Sequence, residues 1–336
     1  METTQTSVMP HLVSKTVCDS SAGLRTPNSE LRTLPSELLS GSNAERRTLN
    51  AERFSPIQVL SPDLILVDWG PMTLTLSVWA DNQPRPIMAV QAAIKALELL
   101  QQLAEYQNLL KIPSNKLKRA DQFPPLVKRA FSACRKASSE LTPMAAVAGL
   151  VADEIVASAL ASGADRVIVN NGGDIALGMK GKQKIRVGLK GPFKERVSHV
   201  LEILSDQGIG GVATSGWGGR SFSPGIADAV SVWAADGVTA DAAATWIAGQ
   251  MKLDSPKVVR CPAKEVDPET DIPHLLITRE VALLTPEEKE TVLATGLAMA
   301  RALIEKGIIR GAFLAVQGNY RWIAFQEPFP KSLNPK

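Results

Sequence analysis

Between Arg166 and Leu177 the chain leaves few structural options: Val167-Ile168-Val169 and Ile175-Ala176-Leu177 are short apolar runs, and Asn170-Asn171-Gly172-Gly173-Asp174 stands between them. Asn-Gly and Gly-Gly favour backbone with positive φ, so the stretch predicts two antiparallel strands closed by a tight turn. A plain hairpin accounts for all of these residues. A second reading stays open beside it: Gly172 and Gly173 let the main chain touch a phosphate or ribose, while Asp174 accepts a hydrogen bond or helps hold a cation.

Strand signals surround this turn. Met72, Leu74, Leu76 and Val78 alternate with Thr73, Thr75 and Ser77, and with the apolar runs 57–60 and 64–67 and the Trp69-Gly70-Pro71 turn they predict a hairpin or meander. Residues 184–189, 200–204, 210–214 and 229–234 read as further strands, and 313–316 with 322–325 as a final hairpin across Gly318-Asn319. Val90, Ile94, Leu97, Leu100, Leu103, Tyr106 and Leu110 recur at helical spacing and predict one long helix over 87–110. A second helix over about 126–139 turns Val127, Ala130, Phe131 and a packed Cys134 inward. A third has Thr142 as N-cap and Pro143 as its first residue, and runs through the small residues Ala145 to Gly149 to about Ala161. Its open first turns suit either close packing or an anion at the exposed N–H groups. Asp236-Gly237 reads as a turn into a helix over about 240–251, and Thr285-Pro286-Glu287-Glu288 as a capping box for a last helix ending at Gly307.

Composition narrows the function. Lys and Arg exceed Asp and Glu by a net charge of only +3, with no long basic run, which argues against a nucleic-acid partner. Cys18, Cys134 and Cys261 are widely spaced and suggest neither a disulfide framework nor a zinc site. No membrane span or signal sequence is read, so a cytoplasmic protein is expected. Residues 1–53 are polar and aperiodic and are expected to be a disordered extension before a folded domain over 54–328. His199 and His274 lack spaced partners and are expected to be structural, so no Ser/His/Asp triad is read.

Two further stretches carry chemistry. Thr214-Ser215-Gly216-Trp217-Gly218-Gly219-Arg220-Ser221 gathers glycines and hydroxyls around one guanidinium, a cradle for phosphate or carboxylate or else a plain surface loop. In Ala240-Asp241-Ala242-Ala243-Ala244-Thr245, Asp241 and Thr245 lie four residues apart on one helical face, both presenting hard oxygen suited to Mg²⁺ or Ca²⁺. Asp241 could equally serve the positive end of its helix.

Asn171-Gly172-Gly173-Asp174-Ile175, the Thr214-Ser215-Gly216 turn and Ala240-Asp241-Ala242-Ala243-Ala244-Thr245 together resemble the motifs of the ApbE-like superfamily, whose founding members are FAD:protein FMN transferases. Residues 142–149 and 221–229 look like the compact, poorly characterised prokaryotic branch of it. The resemblance implies an α+β, T-fold-like architecture of two interlocked antiparallel sheets with flanking helices and the ligand between them. It also implies Asp241 and Thr245 as Mg²⁺ ligands, Gly172, Gly173 and Asp174 at a flavin nucleotide, and Ser215 and Gly216 lining the same cleft; Asn171 beside the Gly-Gly turn and Arg220 of the glycine-rich loop are read as further nucleotide-binding candidates. Two departures stand out. Where the transferases carry Lys-Gly this chain has Ala148-Gly149, and their His-x-x-Asp-Pro-x-Thr-Gly segment is reduced to Phe222-Ser223-Pro224-Gly225. Asp228 either stands in for the missing acid beside Asp241 as a catalytic group or caps the strand that follows. The implied function is transfer of FMN from FAD to a Thr or Ser of an acceptor protein. The alternative is a non-catalytic flavin or nucleotide binder, an accessory in redox or sulfur metabolism, with the oligomeric state open.

Overall fold

The computed structural model describes residues 55–117, 122–190 and 197–333. The expected extension over 1–53 lies outside them. The opening meander is present as β1 (Ile57–Ser61), β2 (Leu64–Trp69) and β3 (Met72–Ala80), with the two-residue β4 (Gln83–Pro84) folding back on β3. Four helices follow, α1 (Pro86–Glu105), α2 (Gln107–Leu110), α3 (Pro125–Ala137) and α4 (Val147–Ala161). Then come β5 (Arg166–Asn171), β6 (Asp174–Met179), β7 (Lys184–Lys190), β8 (Val197–Leu204), β9 (Gly211–Ser215) and β10 (Ala229–Ala234). The chain closes with α5 (Gly237–Gln250), β11 (Val258–Pro262), β12 (Leu276–Val281), α6 (Pro286–Glu305), β13 (Gly311–Val316), β14 (Asn319–Ala324) and β15 (Lys331–Ser332).

The mixed helix and sheet architecture with antiparallel pairing is present, but the described residues form three sheets rather than two. A ten-stranded sheet runs β1-β2-β3-β5-β6-β9-β10-β13-β14, with β4 on β3. A three-stranded sheet runs β15-β8-β7, and β11 pairs with β12 alone. Side-chain alternation on the central strands explains the layering. On β13, Ala312, Leu314 and Val316 join the core under the helices, while Phe313 and Ala315 join a second core with Ile185, Val187, Leu189, Leu201 and Ile203 of the small sheet. β10 and β13 are therefore buried along their whole length. The large sheet thus has helices on one face and the small sheet on part of the other.

Three helix expectations change. The 87–110 helix breaks at Tyr106, and α1 buries Ala89, Ala92, Ala93, Ala96, Leu99 and Leu103 while Ile94 is 46% exposed. Alanine is the face that fits because α1 lies on β2, β3 and α4. Thr142 does not cap a helix with its side chain: Pro143–Ala146 is a short 3-10 segment, and the Thr142 hydroxyl donates to Asp271 Oδ2. The helix carrying Asp241 begins at Gly237, three residues earlier than expected, with Asp236 as N-cap accepting from the Thr239 N–H at 2.9 Å.

Other expectations match. The capping box at Thr285 has both halves, and Cys134 is buried, its thiol donating to the Thr142 carbonyl at 3.2 Å. His199 packs between Phe313 and Tyr320. The final hairpin turns at Gln317-Gly318, one residue before the expected position. Residues 143–161 pass a length-and-composition test for a membrane span, although Asp153 and Glu154 interrupt the apolar run. In the fold α4 is a core helix that packs on α1, α5, β5 and β6.

Candidate functional site

The site is built around one peptide unit, the bond from Ala148 to Gly149 at the start of α4. Its carbonyl accepts from Asn171 Nδ2 at 3.2 Å, and its N–H donates to Asp241 Oδ2 at 2.9 Å. One peptide therefore ties the Asn-Gly-Gly-Asp turn to the Asp241 helix. The small residues at the start of α4 serve this contact. A Cβ on Gly149 would lie 2.3 Å from the Gly237 carbonyl oxygen and 2.9 Å from Asp241 Cβ, so α4 and α5 meet backbone to backbone.

Gly172 and Gly173 close the β5–β6 hairpin at φ of +70° and +118°, with Asn171 opposite Asp174 and the Gly173 N–H held by Asn170 Oδ1 at 2.9 Å. The turn needs its glycines for backbone reasons alone. It also faces the loop that runs from Thr214 to Ser221. Arg220 Nη1 would be 3.3 Å from a Cβ on Gly172, while its Nη2 donates to the Pro71 carbonyl at 3.2 Å. Arg220 thus lies across the turn and makes no ion pair among the described residues.

Asp174 begins β6, and its carboxyl is pushed up to about 7 by burial, with a hydrogen bond from the Thr214 main chain pulling the other way. Asp241 is raised well above the usual carboxylate range, first by burial, then by the charge of Asp174; the Gly149 N–H opposes this and Asp153 adds to it. The charge of Asp174 reaches Asp241, and no lysine or arginine is ion-paired to either among the described residues. The N-terminus of α5 is served by Asp236 and by Asp153, which accepts from the Gly237 and Val238 N–H groups at 2.7 and 2.9 Å. Asp241 therefore does not serve the N-terminus of its own helix; it accepts the Gly149 N–H in the first turn of α4.

The remaining expected residues sit further out. Thr245 lies one turn beyond Asp241 on α5 and is half-buried. Ser215 ends β9 opposite Val230. Gly216 packs on the Asp228 main chain, where a Cβ would meet the carbonyl oxygen at 2.5 Å. Asp228 Oδ2 accepts from the Gln317 N–H at 2.5 Å and so holds the β13–β14 turn. The structure brings Asn171, Gly172, Gly173, Asp174, Arg220 and Asp241 together and ties Asp228 to the last hairpin.

Asp153 is the residue the sequence reading missed. Burial raises its carboxyl to about 6, against the lowering pull of the Val238 and Gly237 N–H groups, and Arg129 Nη2 lies 3.2 Å from it. The signal was present as spacing: Gly149 and Gly237 are each followed by an aspartate four residues on.

A hard divalent cation fits this donor set. Asp241 is buried and Asp174 half-buried, a cation would relieve the effect of the Asp174 charge on Asp241, and Oδ1 of Asp241 has no hydrogen-bond partner among the described residues. Those residues include no group of three or more His, Cys, Asp and Glu side chains arranged for a metal. The protein would thus supply few ligands, which suits Mg²⁺, an ion often completed by water and substrate phosphate.

A UPF0280 protein of Methanothermobacter thermautotrophicus is 43% identical over 126 residues, 37% of this chain and 48% of the relative. One from Methanothrix thermoacetophila is 38% identical over 137 residues, 40% of this chain and 56% of the relative. The chain spans about half the length of the curated relatives it matches. Among solved structures, an ApbE protein of Thermotoga maritima shares 14% identity at a TM-score of 0.45, covering 77% of this chain and 96% of its own. The apo flavinyl transferase ApbE of Pseudomonas stutzeri shares 14% at 0.42, covering 80% and 97%. The family model described as AbpE bacteria matches residues 58–322, from β1 into β14 and through every motif gathered at the Ala148–Gly149 peptide. On that match the chain belongs to the AbpE bacteria family, within the ApbE-like superfamily.

Proposed function

We propose that the chain binds a flavin nucleotide at the α4–α5 crossing and acts as a Mg²⁺-dependent FAD:protein FMN transferase. The observation that carries this reading is the Ala148–Gly149 peptide, which accepts from Asn171 Nδ2 at 3.2 Å and donates to Asp241 Oδ2 at 2.9 Å, and so ties the Asn-Gly-Gly-Asp turn to Asp241. Asp241, Asp174 and Thr245 would hold the cation, with Asn171, Gly172, Gly173, Ser215, Gly216 and Arg220 along the nucleotide. When bound, the cation supplies positive charge against that gathering on the phosphoryl oxygens. Arg220, exposed and held by one main-chain hydrogen bond, turns its remaining N–H donors to phosphate. In the transfer, an acceptor Ser or Thr oxygen bonds to the FMN phosphorus, the bridging P–O bond breaks, AMP leaves, and the hydroxyl proton passes to a base.

A second reading, a flavin nucleotide binder without transferase activity, is favoured by Asp228, whose carboxylate holds the Gln317 N–H. Ala148, standing where the transferases have lysine, favours it too. Calorimetric titration of FAD with and without Mg²⁺, into wild type and Asp241→Asn, tests the site. Binding that needs Mg²⁺ in the wild type and is lost in the variant supports it, and equal affinity in all four titrations overturns it. AMP release with an acceptor protein then separates the two readings.

A further inference from the structure

The two helices at the site exchange hydrogen bonds symmetrically. Asp241 of α5 accepts the Gly149 N–H of α4, and Asp153 of α4 accepts the Gly237 and Val238 N–H groups of α5. The motif Gly-x-x-x-Asp occurs once on each helix, at 149–153 and 237–241. The pairs 149–241 and 153–237 run in opposite chain directions, so each carboxylate holds the main chain of the other helix one turn from the glycine contact. The two halves differ in that Asp153 accepts two N–H groups and Asp241 one, and in counter-charge. Arg129 reaches Asp153 with Nη2 at 3.2 Å and Glu154 with Nη1, whereas no ion pair reaches Asp241 among the described residues.

We propose that Asp153, balanced by Arg129, is the positioning residue for Asp241. It fixes the slide and rotation of α5 on α4, so that Asp241 meets Asp174 before any cation arrives. This rests on the reading of Asp241 as a cation ligand. The physical reason is leverage: a one-residue slip of α5 would separate Asp153 from Gly237 and Asp241 from Gly149 together. Asp236 caps the same helix end, but its bond to Thr239 is local to α5 and ties α5 to nothing else. Asp153 and Asp236 therefore form a matched pair, two caps on one helix end of which one reaches across to α4.

The test uses the full chain with Mn²⁺ as probe, its free signal followed by electron paramagnetic resonance, and amide exchange of Gly149 as a readout that needs no metal. Asp153→Ala should weaken Mn²⁺ binding by roughly 10–100-fold, the usual effect of losing a residue that orients a ligand, and should speed exchange at Gly149. Asp236→Ala should change neither. If Asp153→Ala does not fold, Asp153→Asn, which keeps one acceptor oxygen, carries the same comparison. Equal effects from the Asp153 and Asp236 variants on both readouts overturn the proposal. A wild type that binds no Mn²⁺ removes the cation reading, while faster Gly149 exchange confined to the Asp153 variants still supports the positioning role.

Discussion

Glycine appears at two places around the Ala148–Gly149 peptide for two different physical reasons. At the α4–α5 crossing, Gly149 has no positive φ, yet a Cβ there would collide with main-chain atoms of the other helix. At the β5–β6 turn, Gly172 has a left-handed backbone, and the atom that would crowd a Cβ there, at 3.3 Å, belongs to the movable end of Arg220. The first glycine is needed for space and the second for conformation. The nucleotide-binding reading of a Gly-Gly turn therefore cannot rest on its glycines. It rests on Asp174 beside the turn and on Arg220 across it.

That contrast can be broken by experiment. The largest effect is expected for Gly149→Ala, at least about 3 kcal/mol of destabilisation, because a methyl must push two backbones apart rather than displace a side chain. Denaturant unfolding measures it, and a loss below that of Gly172→Ala would dissolve the distinction. Second comes pH. Asp153 has a carboxyl raised from 3.8 to about 6, so the folded protein holds a proton there that the unfolded chain has released. Stability from this group is fully present below about pH 4 and is lost as pH rises through about 6. It is on the order of 3 kcal/mol. The difference in unfolding free energy between wild type and Asp153→Asn, followed from pH 4 to 8, should show this trend, and a flat difference would refute it.

A third test loads the crossing without altering the turn. Mg²⁺ with nucleotide at a hundred times Kd should stabilise the wild type by about 2.7 kcal/mol and leave Asp241→Asn unchanged in a thermal melt. The smallest effects belong to the turn. Gly172→Ala should cost about 1–2 kcal/mol, and Gly172→Asn less, because Asn tolerates the left-handed region. At Gly149 the order should reverse, with Asn worse than Ala. The same order at both positions would mean that one cause acts at both.

The sequence made the turn legible because Asn-Gly and Gly-Gly restrict φ locally, and the Thr285 capping box is legible for the same local reason. It hid the rest where the deciding neighbour is distant. α1 carries alanine along one face and larger residues along another, and only the approach of β2, β3 and α4 selects alanine. β7 and β8 have the same alternation as the large-sheet strands, so nothing local assigns them to a separate sheet. Asp153 sits in an apolar helix, and its role exists only once Gly237 is beside it. The cluster of Asp174, Asp241 and Asn171 was indicated by motif order; the peptide that joins them was not.

The two longest-range closures of the large sheet are β3 to β5, with Trp79 opposite Arg166, and β10 to β13, with Trp233 opposite Gly311. α4 ends the chain interval of the first closure and α5 opens that of the second. The β5–β6 hairpin depends only on local contacts and can form early, whereas the bond from Gly149 to Asp241 joins elements that both wait on distant partners. On the proposed reading of the site, ligand competence is expected late in refolding. Pulse-labelled amides should be protected in the hairpin well before Gly149, and a chain caught between the two closures would carry the entire glycine turn while binding nothing.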